Sequence, residues 1–343
     1  MGGVALGPPQ QPRAPREQGR VGRVVAPVEQ VPGGGTYDAR VTRHFLTGEE
    51  LTAEELTALL DRAAQLKADR QASKALAGRS VALIFEQPST RTRVSFEVGV
   101  AELGGHPLIL REGEMQISRG ESIRDTAQVL SRFVSAIGVR TVPHADVAGL
   151  AEFATVPVIN MLTGEHHPCQ ALADLLTLRE RFGDLDGLKL AYVGDGNNVA
   201  SSLMLLGAKA GLEVAVATPA ELPPDPLVAQ AAGAAATGSG SVTLTGDPAE
   251  AVRDAAAVYV DVWVSMGDDD ADRRRRLLEP YRLDDALLAG ARSDAIALHC
   301  LPAHPGEEIT EAVLYGDRQR IWDQAENRRH AQKALLEWLV GAL

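Results

Sequence analysis

The sequence of 343 residues contains little cysteine, few aromatic residues and no long apolar run. Its two cysteines, Cys169 and Cys300, are far apart and form no CxxC pair. A disulfide framework is therefore not indicated, and we expect a reducing, cytoplasmic setting. No stretch approaches the roughly 18–20 consecutive apolar residues of a membrane span, and the first residues lack the apolar segment of a signal peptide. We therefore expect no membrane partner.

Positive charge is outweighed by negative charge, since the sequence has 34 Lys and Arg residues against 46 Asp and Glu residues and a formal net charge of −12. A strongly acidic chain is a poor nucleic-acid ligand, so we expect no nucleic-acid partner. Any anionic ligand must be bound by local positive charge against an unfavourable overall field. The apolar share of 45% and the length are sufficient for two domains with their own hydrophobic cores.

The pattern that is present is an alternation of short apolar strands with helices. A first series runs from SVALIF at residue 80 to LTLRERFG, and a second begins at Leu188 with LKLAYVGDG. Such alternation predicts two doubly wound α/β domains with parallel sheets. Thr52 and Glu55 form a capping-box pattern at the start of the first helix. Residues 1–38 are rich in Pro, Gly and Gln, and we expect them to be a disordered extension.

A hydroxyl-rich basic motif, Ser89-Thr90-Arg91-Thr92-Arg93, lies between a predicted strand and a predicted helix. The first turn of a helix offers unpaired N–H groups and a partial positive charge. Three hydroxyls and two guanidinium groups add donors suited to phosphate oxygens. The motif therefore favours phosphate binding, although a capped helix with two solvated arginines would have the same sequence. The Walker A pattern is absent, so a nucleotide is not implied.

Other predicted strand ends in the first half also carry polar residues. Arg140 ends one strand, and His167-Pro168-Cys169-Gln170 follows another and begins a helix. Neutral histidine and glutamine can together hydrogen-bond a carbonyl and an amide. A histidine that merely caps the helix is the alternative for His167.

Three motifs follow predicted strands in the second half. Gly194-Asp195-Gly196 resembles the start of a dinucleotide motif, but Val199 replaces the third glycine and the next strand ends without an acidic residue. We therefore interpret this segment as a tight turn that presents Asn198. Asp261 and Ser265 could bind an ammonium group, whereas an ordinary turn is the alternative.

The third of these motifs, His299-Cys300-Leu301-Pro302, leaves the role of its cysteine open. Cys300 could be a nucleophile, a metal ligand or a buried small residue. A zinc site drawn with His166, His167, Cys169 and His304 matches no usual spacing, so no metal is expected. Composition places Arg328 at the surface, but its position near the start of the last helix would let it reach a cleft. We expect Arg273 to Arg276 to form a solvated, mobile charged loop.

Together, STRTR, HPCQ, DVWVSMG and HCLP resemble the ornithine branch of the aspartate/ornithine carbamoyltransferase family. The motifs occur in the family's order, and the resemblance runs from about Arg43 to the C-terminus. It implies a carbamoyl-phosphate domain over residues 39–183, completed by a C-terminal helix over 322–343, and an ornithine domain over 184–321. Two positions depart from the family pattern, Gln87 where Lys is frequent and Pro305 where Arg is frequent.

The resemblance also implies roles for individual residues. Arg140, His167 and Cys300 would be catalytic. The amino-acid end of ornithine would be bound by Asn198, Asp261, Ser265 and Met266. Carbamoyl phosphate would be bound by Ser89, Thr90, Arg91, Thr92, Arg93, Gln116, Arg140, His167, Pro168, Cys169, Gln170, Cys300, Leu301 and Arg328.

The implied reaction transfers the carbamoyl group of carbamoyl phosphate to the δ-amine of ornithine, giving citrulline and phosphate in arginine metabolism. No cofactor is expected, because the phosphoanhydride already activates the carbonyl. The implied assembly is a homotrimer, or a multiple of one, with shared active sites. Alternatives are a carbamoyltransferase for N-acetylornithine, succinylornithine, putrescine or aspartate, a non-catalytic binding protein, and a dehydrogenase.

Overall fold

The computed structural model describes residues 42–115, 120–264 and 270–341, and the predicted alternation of strands and helices is present across these ranges. The fold prediction of two parallel-sheet α/β halves is therefore confirmed. The expected extension over residues 1–38 lies outside the described residues. No helix in the described ranges is long and apolar enough to cross a membrane.

The first half is built on a parallel sheet with the strand order β2-β1-β3-β4. Its strands are β1 Ser80–Phe85, β2 His106–Arg111, β3 Ala136–Arg140 and β4 Val158–Leu162. Its helices are α1 Ala53–Ala68, α2 Thr90–Glu102, α3 Ile123–Leu130, α4 His144–Phe153 and α5 Pro168–Phe182, with a 3₁₀ turn at Glu112–Glu114. Since the chain passes from β1 to β2 on one side and then to β3 on the other, the topological switch lies between β1 and β3.

The second half is built on a parallel sheet with the order β7-β6-β5-β8-β9. Its strands are β5 Lys189–Val193, β6 Glu213–Ala217, β7 Ser241–Thr245, β8 Ala257–Val260 and β9 Ile296–His299. Its helices are α6 Asn198–Lys209, α7 Pro226–Ala235, α8 Pro248–Val252, α9 Ala271–Leu278, α10 Asp285–Ala289 and α11 Glu311–Leu314, with a 3₁₀ turn at Glu279–Tyr281. The switch point here lies between β5 and β8.

The last helix, α12 Ile321–Leu339, returns to the first half of the chain, as the resemblance implied. It packs against α1, α2 and α5. The contact is polar as well as apolar: Arg62 of α1 donates to Glu337 at 2.6 Å, and the fully buried Lys333 pairs with Glu102 of α2 at 2.8 Å. These buried ion pairs fix the register of α12 against the first sheet's helices.

The first helix shows how local sequence sets an element. The Thr52 side chain accepts from the backbone N–H of Glu55, and the Glu55 side chain accepts from the backbone N–H of Thr52. This reciprocal capping box pairs two N–H groups that the helix itself leaves unpaired. The apolar face that follows, with Leu56, Leu59, Leu60, Ala63 and Leu66, is buried.

The expectation of a loop at Arg273 to Arg276 is wrong, because these residues lie within α9, although all of them except Arg274 are exposed as expected. Arg274 is only 17% exposed and donates to Asp195 at 2.6 Å and to Asp270 at 2.9 Å. Asp195 lies in the turn after β5, so a charge that is distant in sequence holds this helix in place. The run of arginines in the sequence does not indicate that Asp195 is a partner of Arg274.

Candidate active site

The helix start that follows β1 has an unusual charge pattern. Helix α2 begins at Thr90 and has no acidic residue in its first turn, although acidic residues are favoured there. Two arginines occupy that turn instead. The N-cap residue Ser89 makes no side-chain capping bond, so its hydroxyl is not used by the helix. Cations at a positive helix end are unfavourable unless an anion binds beside them.

Three arginines converge beside this helix start. Arg140, at the end of β3, donates to the Thr92 hydroxyl at 3.3 Å, and Arg328 of α12 donates to the same oxygen at 2.6 Å. Arg91 lies one residue before Thr92 and is half-buried. Each of the three has a buried Nε without a hydrogen-bond partner among the described residues. We call Arg91, Arg140 and Arg328 the arginine cluster.

The electrostatics of the arginine cluster call for an anion. Burial, together with the charges of Arg328 and Arg91, lowers the pKa of Arg140 to about 10. Burial also lowers the pKa of Arg328, which is only 3% exposed and not a surface residue. Since buried like charges repel at close range, an anion with several oxygens would relieve both the repulsion and the missing hydrogen bonds.

His167 and Gln170 of the HPCQ motif lie beside this cluster. Burial and the nearby charges of Arg328, Arg140 and Arg91 hold the pKa of His167 well below its usual value, so the imidazole is neutral. Within the part of the chain that the structure describes, its Nδ1 atom has no hydrogen-bond partner, and neither has the Oε1 atom of Gln170. A neutral imidazole and a carboxamide oxygen can together bind a carbonyl and an amide.

The opposite wall of the site is formed by the second half of the chain. Asp261, which follows β8, is buried and accepts from Asn197 Nδ2 at 2.7 Å and from the Cys300 thiol at 2.8 Å. Burial and the adjacent Asp261 raise the pKa of Cys300 well above its usual value, so its sulfur carries a proton. Asp261 also acts on Arg91, whose pKa is lowered by burial and raised in part by this carboxylate. The two walls therefore face one site.

The loop after β9 is held by a buried histidine. The His299 Nδ1 atom accepts from the Leu301 backbone N–H at 2.8 Å, and His299 Nε2 lies 3.2 Å from the buried Glu308 carboxylate. Leu301 has a φ of 61°, which non-glycine residues adopt at a cost of about 1–3 kcal/mol. The His299–Glu308 pair thus supports a strained backbone next to Cys300.

One group of potential metal ligands lies within the described ranges, formed by Asp261, His299 and Cys300. Both ring nitrogens of His299 already have partners, Leu301 and Glu308. The thiol of Cys300 donates to Asp261. Hydrogen bonding therefore accounts for this cluster. Its composition also differs from the zinc set that the sequence allowed, which used other histidines and Cys169.

The glycines in the turn after β5 are required by the geometry of the protein itself, without a bound nucleotide. Gly194 has a φ of 147°, which favours glycine. A Cβ atom at Gly196 would lie 2.2 Å from the backbone nitrogen of Pro224, so the close approach there is to protein. Asn197 caps α6 and Asn198 is its first residue, as a tight turn predicts. The Asn198 amide donates to the Thr163 carbonyl at 2.6 Å.

Other residues that the sequence assigned to the site have contacts of their own or are exposed. Arg93 pairs with Glu97 at 3.1 Å. Thr90 is exposed at the rim. The buried Cys169 thiol donates to the Asn160 carbonyl, and burial raises its pKa to about 12. Pro168 is the first residue of α5. Gln116, Ser265 and Met266 lie outside the described residues.

Comparison with known proteins decides the family. Residues 43–180 match the aspartate/ornithine carbamoyltransferase carbamoyl-P binding domain, and residues 186–339 match the family's Asp/Orn binding domain. The chain belongs to the aspartate/ornithine carbamoyltransferase family. The resemblance that the motifs indicated is therefore confirmed.

Similar members of the family include proteins named for ornithine. An ornithine carbamoyltransferase of Acidothermus cellulolyticus is 56% identical over 303 residues, covering 88% of this chain and 97% of the relative. An anabolic ornithine carbamoyltransferase of Pyrococcus furiosus is 49% identical over 306 residues, covering 88% and 97%. A solved structure of ornithine carbamoyltransferase from Pyrococcus furiosus has a TM-score of 0.84 at 48% identity, covering 88% of this chain and 98% of that one.

Some residues of this family member's site were missed by sequence reasoning. Asn197 contacts Asp261, because its Oδ1 atom caps α6 while its Nδ2 atom donates to that carboxylate. Asp174 of α5 is buried beside Gln170, at the i+4 position of the HPCQ helix. An aspartate among the apolar residues of a predicted helix could have indicated that Asp174 belongs to the site. Its partner Gln324 could not be inferred, because it is 150 residues away in sequence.

The stability of the protein should depend on pH through Asp174. Burial raises the pKa of this carboxyl to about 7, although the donated hydrogen bonds of Gln324 and Gln170 lower it in part. An unfolded aspartate has a pKa of about 3.9. Folding therefore takes up a proton between pH 4 and pH 7, so this group's contribution to stability falls as pH rises through that window.

We expect Asp174→Asn to remove this dependence, because asparagine carries no charge to bury. The melting temperature of the variant should match wild type near pH 4 and exceed it by a few degrees at pH 8. Thermal unfolding followed by circular dichroism measures both, with the exposed Asp317→Asn as the control variant. A difference that stays constant across pH would contradict the raised pKa.

Proposed function

We propose that this family member is an ornithine carbamoyltransferase, which forms citrulline and phosphate from carbamoyl phosphate and L-ornithine in arginine metabolism. The observation that carries the proposal is the arginine cluster, which has no carboxylate partner among the described residues and faces a buried carboxylate on the other wall. One wall suits a phosphate and the other suits an ammonium group. Relatives at up to 56% identity carry the same name.

The phosphate of carbamoyl phosphate binds at the start of α2. Ser89, Thr90 and Thr92 offer hydroxyls, and the free N–H groups of the first turn point at the same place. The arginine cluster supplies forked donors and positive charge. Arg140 and neutral His167 bind the carbonyl oxygen, on which negative charge develops when the carbonyl carbon becomes tetrahedral.

The α-ammonium group of ornithine binds to Asp261, and Asn198 and the loop after β8 bind its α-carboxylate end. The turn after β5 and the end of β8 meet at the switch point of the second sheet, where ligands of doubly wound folds bind. The Cys300 thiol and the Asn197 amide hold the Asp261 carboxylate in place, since both donate to it. The side chain of ornithine then extends toward the arginine cluster.

The reaction requires a neutral δ-amine, because only its lone pair can attack. A free alkylamine of this kind has a pKa of about 10.4 and is protonated near neutral pH. The arginine cluster and the exclusion of water both lower the pKa of an amine brought beside them. The nitrogen attacks the carbonyl carbon, the carbon–oxygen bond to phosphate breaks, and the amine proton passes to the departing phosphate, which leaves as the hydrogen phosphate dianion.

The proposed assembly is a homotrimer in the cytoplasm with sites shared between subunits. Apolar side chains are exposed on the first half of the chain, with Phe133 73% exposed and Val94 and Val142 about half exposed. Exposed apolar groups of this size favour contact with another subunit. Analytical ultracentrifugation should give the mass of three chains or a multiple of three, whereas a monomer would contradict the assembly.

The choice of amine tests the proposed function. An acetyl group on the α-nitrogen removes its charge and leaves Asp261 buried without a cation, and putrescine lacks the carboxylate altogether. An unpaired buried charge costs several kcal/mol. We therefore expect kcat/KM for ornithine to exceed that for N-acetylornithine, putrescine or aspartate by about 100-fold or more. Steady-state phosphate release with each amine measures this ratio, and equal use of N-acetylornithine would contradict the proposal.

A further inference from the structure

A chain of hydrogen bonds connects the two halves of the protein through three side chains and one backbone amide. The His299 backbone N–H donates to Gln324 Oε1 at 3.0 Å, and Gln324 Nε2 donates to Asp174 Oδ1 at 2.6 Å. Gln170 Nε2 donates to the same Asp174 oxygen at 2.8 Å. All of these groups are buried. The chain runs from β9 through α12 to α5.

The direction of every bond in this chain follows from one fixed donor. A backbone N–H can only donate, so the atom of Gln324 that faces His299 is its oxygen. The NH₂ group of Gln324 must then face Asp174, which makes Asp174 Oδ1 an acceptor. The atom of Gln170 within hydrogen-bond distance of Oδ1 must also be a nitrogen. The remaining oxygen of Gln170 therefore points elsewhere, and it has no partner among the described residues.

We infer that Asp174 and Gln324 are positioning residues, which fix the carboxamide of Gln170 so that its oxygen accepts from the amino group of carbamoyl phosphate. The inference rests on the proposed function, because it assigns the unpartnered oxygen to that substrate. It explains why a carboxyl group is buried within α5. It also ties the orientation of Gln170 to β9, the strand that carries Cys300 and Leu301 into the site.

A substrate analogue separates positioning from plain structural support. Acetyl phosphate has the same phosphate and carbonyl groups as carbamoyl phosphate, but a methyl group replaces the amino group. The Gln170 oxygen can accept a hydrogen bond from the amino group of carbamoyl phosphate but not from the methyl group of acetyl phosphate. A change that frees Gln170 to turn should therefore weaken carbamoyl phosphate selectively, whereas a general disturbance of the pocket should weaken both ligands equally.

The test compares Asp174→Leu with Asp174→Asn. Leucine removes the acceptor, so the Gln170 NH₂ group loses its partner and turns. We expect the Kd of carbamoyl phosphate to rise about 10-fold while that of acetyl phosphate changes less than about 2-fold. Asparagine keeps an oxygen at the Oδ1 position and should bind both ligands as wild type does. In turnover, the KM of Asp174→Leu should rise for carbamoyl phosphate and remain unchanged for ornithine.

A second variant keeps the test decisive should Asp174→Leu fail to fold. Gln324→Leu removes the donor that sets the direction of the chain and should show the same selective loss, several-fold in size. Equal weakening of both ligands, or wild-type binding in Asp174→Leu, would overturn the inference. Either result leaves the proposed function standing as long as the wild type binds carbamoyl phosphate and forms citrulline, since the Asp174 and Gln324 variants do not test that reaction.

Discussion

Arg91→Ala should lower kcat/KM for carbamoyl phosphate by about 10³-fold, at the upper end of what removal of one transition-state donor costs. Arg91 is half-buried at the first turn of α2, and its Nε atom has no hydrogen-bond partner in the described ranges. Its charge and its fork of donors are therefore available to the phosphate as negative charge builds on the leaving oxygen. Arg91→Lys should lose about 10²-fold, because lysine keeps the charge but not the planar fork.

The Arg91→Ala substitution should leave the fold intact. Arg91 makes no ion pair among the described residues, and its charge opposes those of Arg140 and Arg328. We therefore expect the melting temperature of the unliganded Arg91→Ala variant to equal or slightly exceed that of wild type. Arg79→Ala is the matched control, since Arg79 is exposed just before β1, at the opposite end of the strand from the site. Near-normal kinetics at saturating carbamoyl phosphate would refute the assignment of Arg91.

Asp261→Asn should lower kcat/KM for ornithine by about 100-fold or more and change the Kd of carbamoyl phosphate by less than about 3-fold. Asparagine has nearly the same shape, and its oxygen can still accept from the Cys300 thiol. What it lacks is the negative charge that pairs with the α-ammonium group. The loss should therefore be much smaller for N-acetylornithine, whose α-nitrogen carries no charge to pair with Asp261.

Two measurements decide the Asp261 prediction. Steady-state kinetics with ornithine and N-acetylornithine give the loss for each amine, and equilibrium binding of carbamoyl phosphate gives the effect on the other wall. Asp317→Asn, an exposed aspartate before α12, controls for the loss of one negative charge. A variant impaired only toward carbamoyl phosphate would place Asp261 on the wrong wall.

The positions of the main polar motifs could be predicted because parallel sheets bring strand ends together. Phe85 at the end of β1 pairs with Arg140 at the end of β3, so STRTR and Arg140 had to meet once the sheet formed. Asp261 and the turn after β5 meet for the same reason. Strand periodicity, and the rule that ligands of doubly wound folds bind at the switch point of the sheet, were therefore sufficient to predict where these residues lie.

The remaining parts of the site depend on contacts that no local pattern records. Gln324 reaches Asp174 across 150 residues, and Arg328 reaches Thr92 across 236. Helix α9 was predicted as a loop because its partner Asp195 lies 79 residues earlier in the sequence than Arg274. Burial of Arg328 likewise follows from the packing of α12 against the first half, which charge alone argues against.

The most direct test of the account follows the bond that the enzyme forms. Carbamoyl phosphate labelled with ¹³C at its carbonyl and ornithine labelled with ¹⁵N at its δ-nitrogen are incubated with the wild-type protein, and the product is observed by NMR. The proposed ornithine carbamoyltransferase reaction predicts citrulline whose carbonyl carbon shows a one-bond coupling to the labelled nitrogen, with one phosphate released for each citrulline. A ¹³C signal found only in cyanate or bicarbonate, or a carbamoyl group on the α-nitrogen, would contradict it.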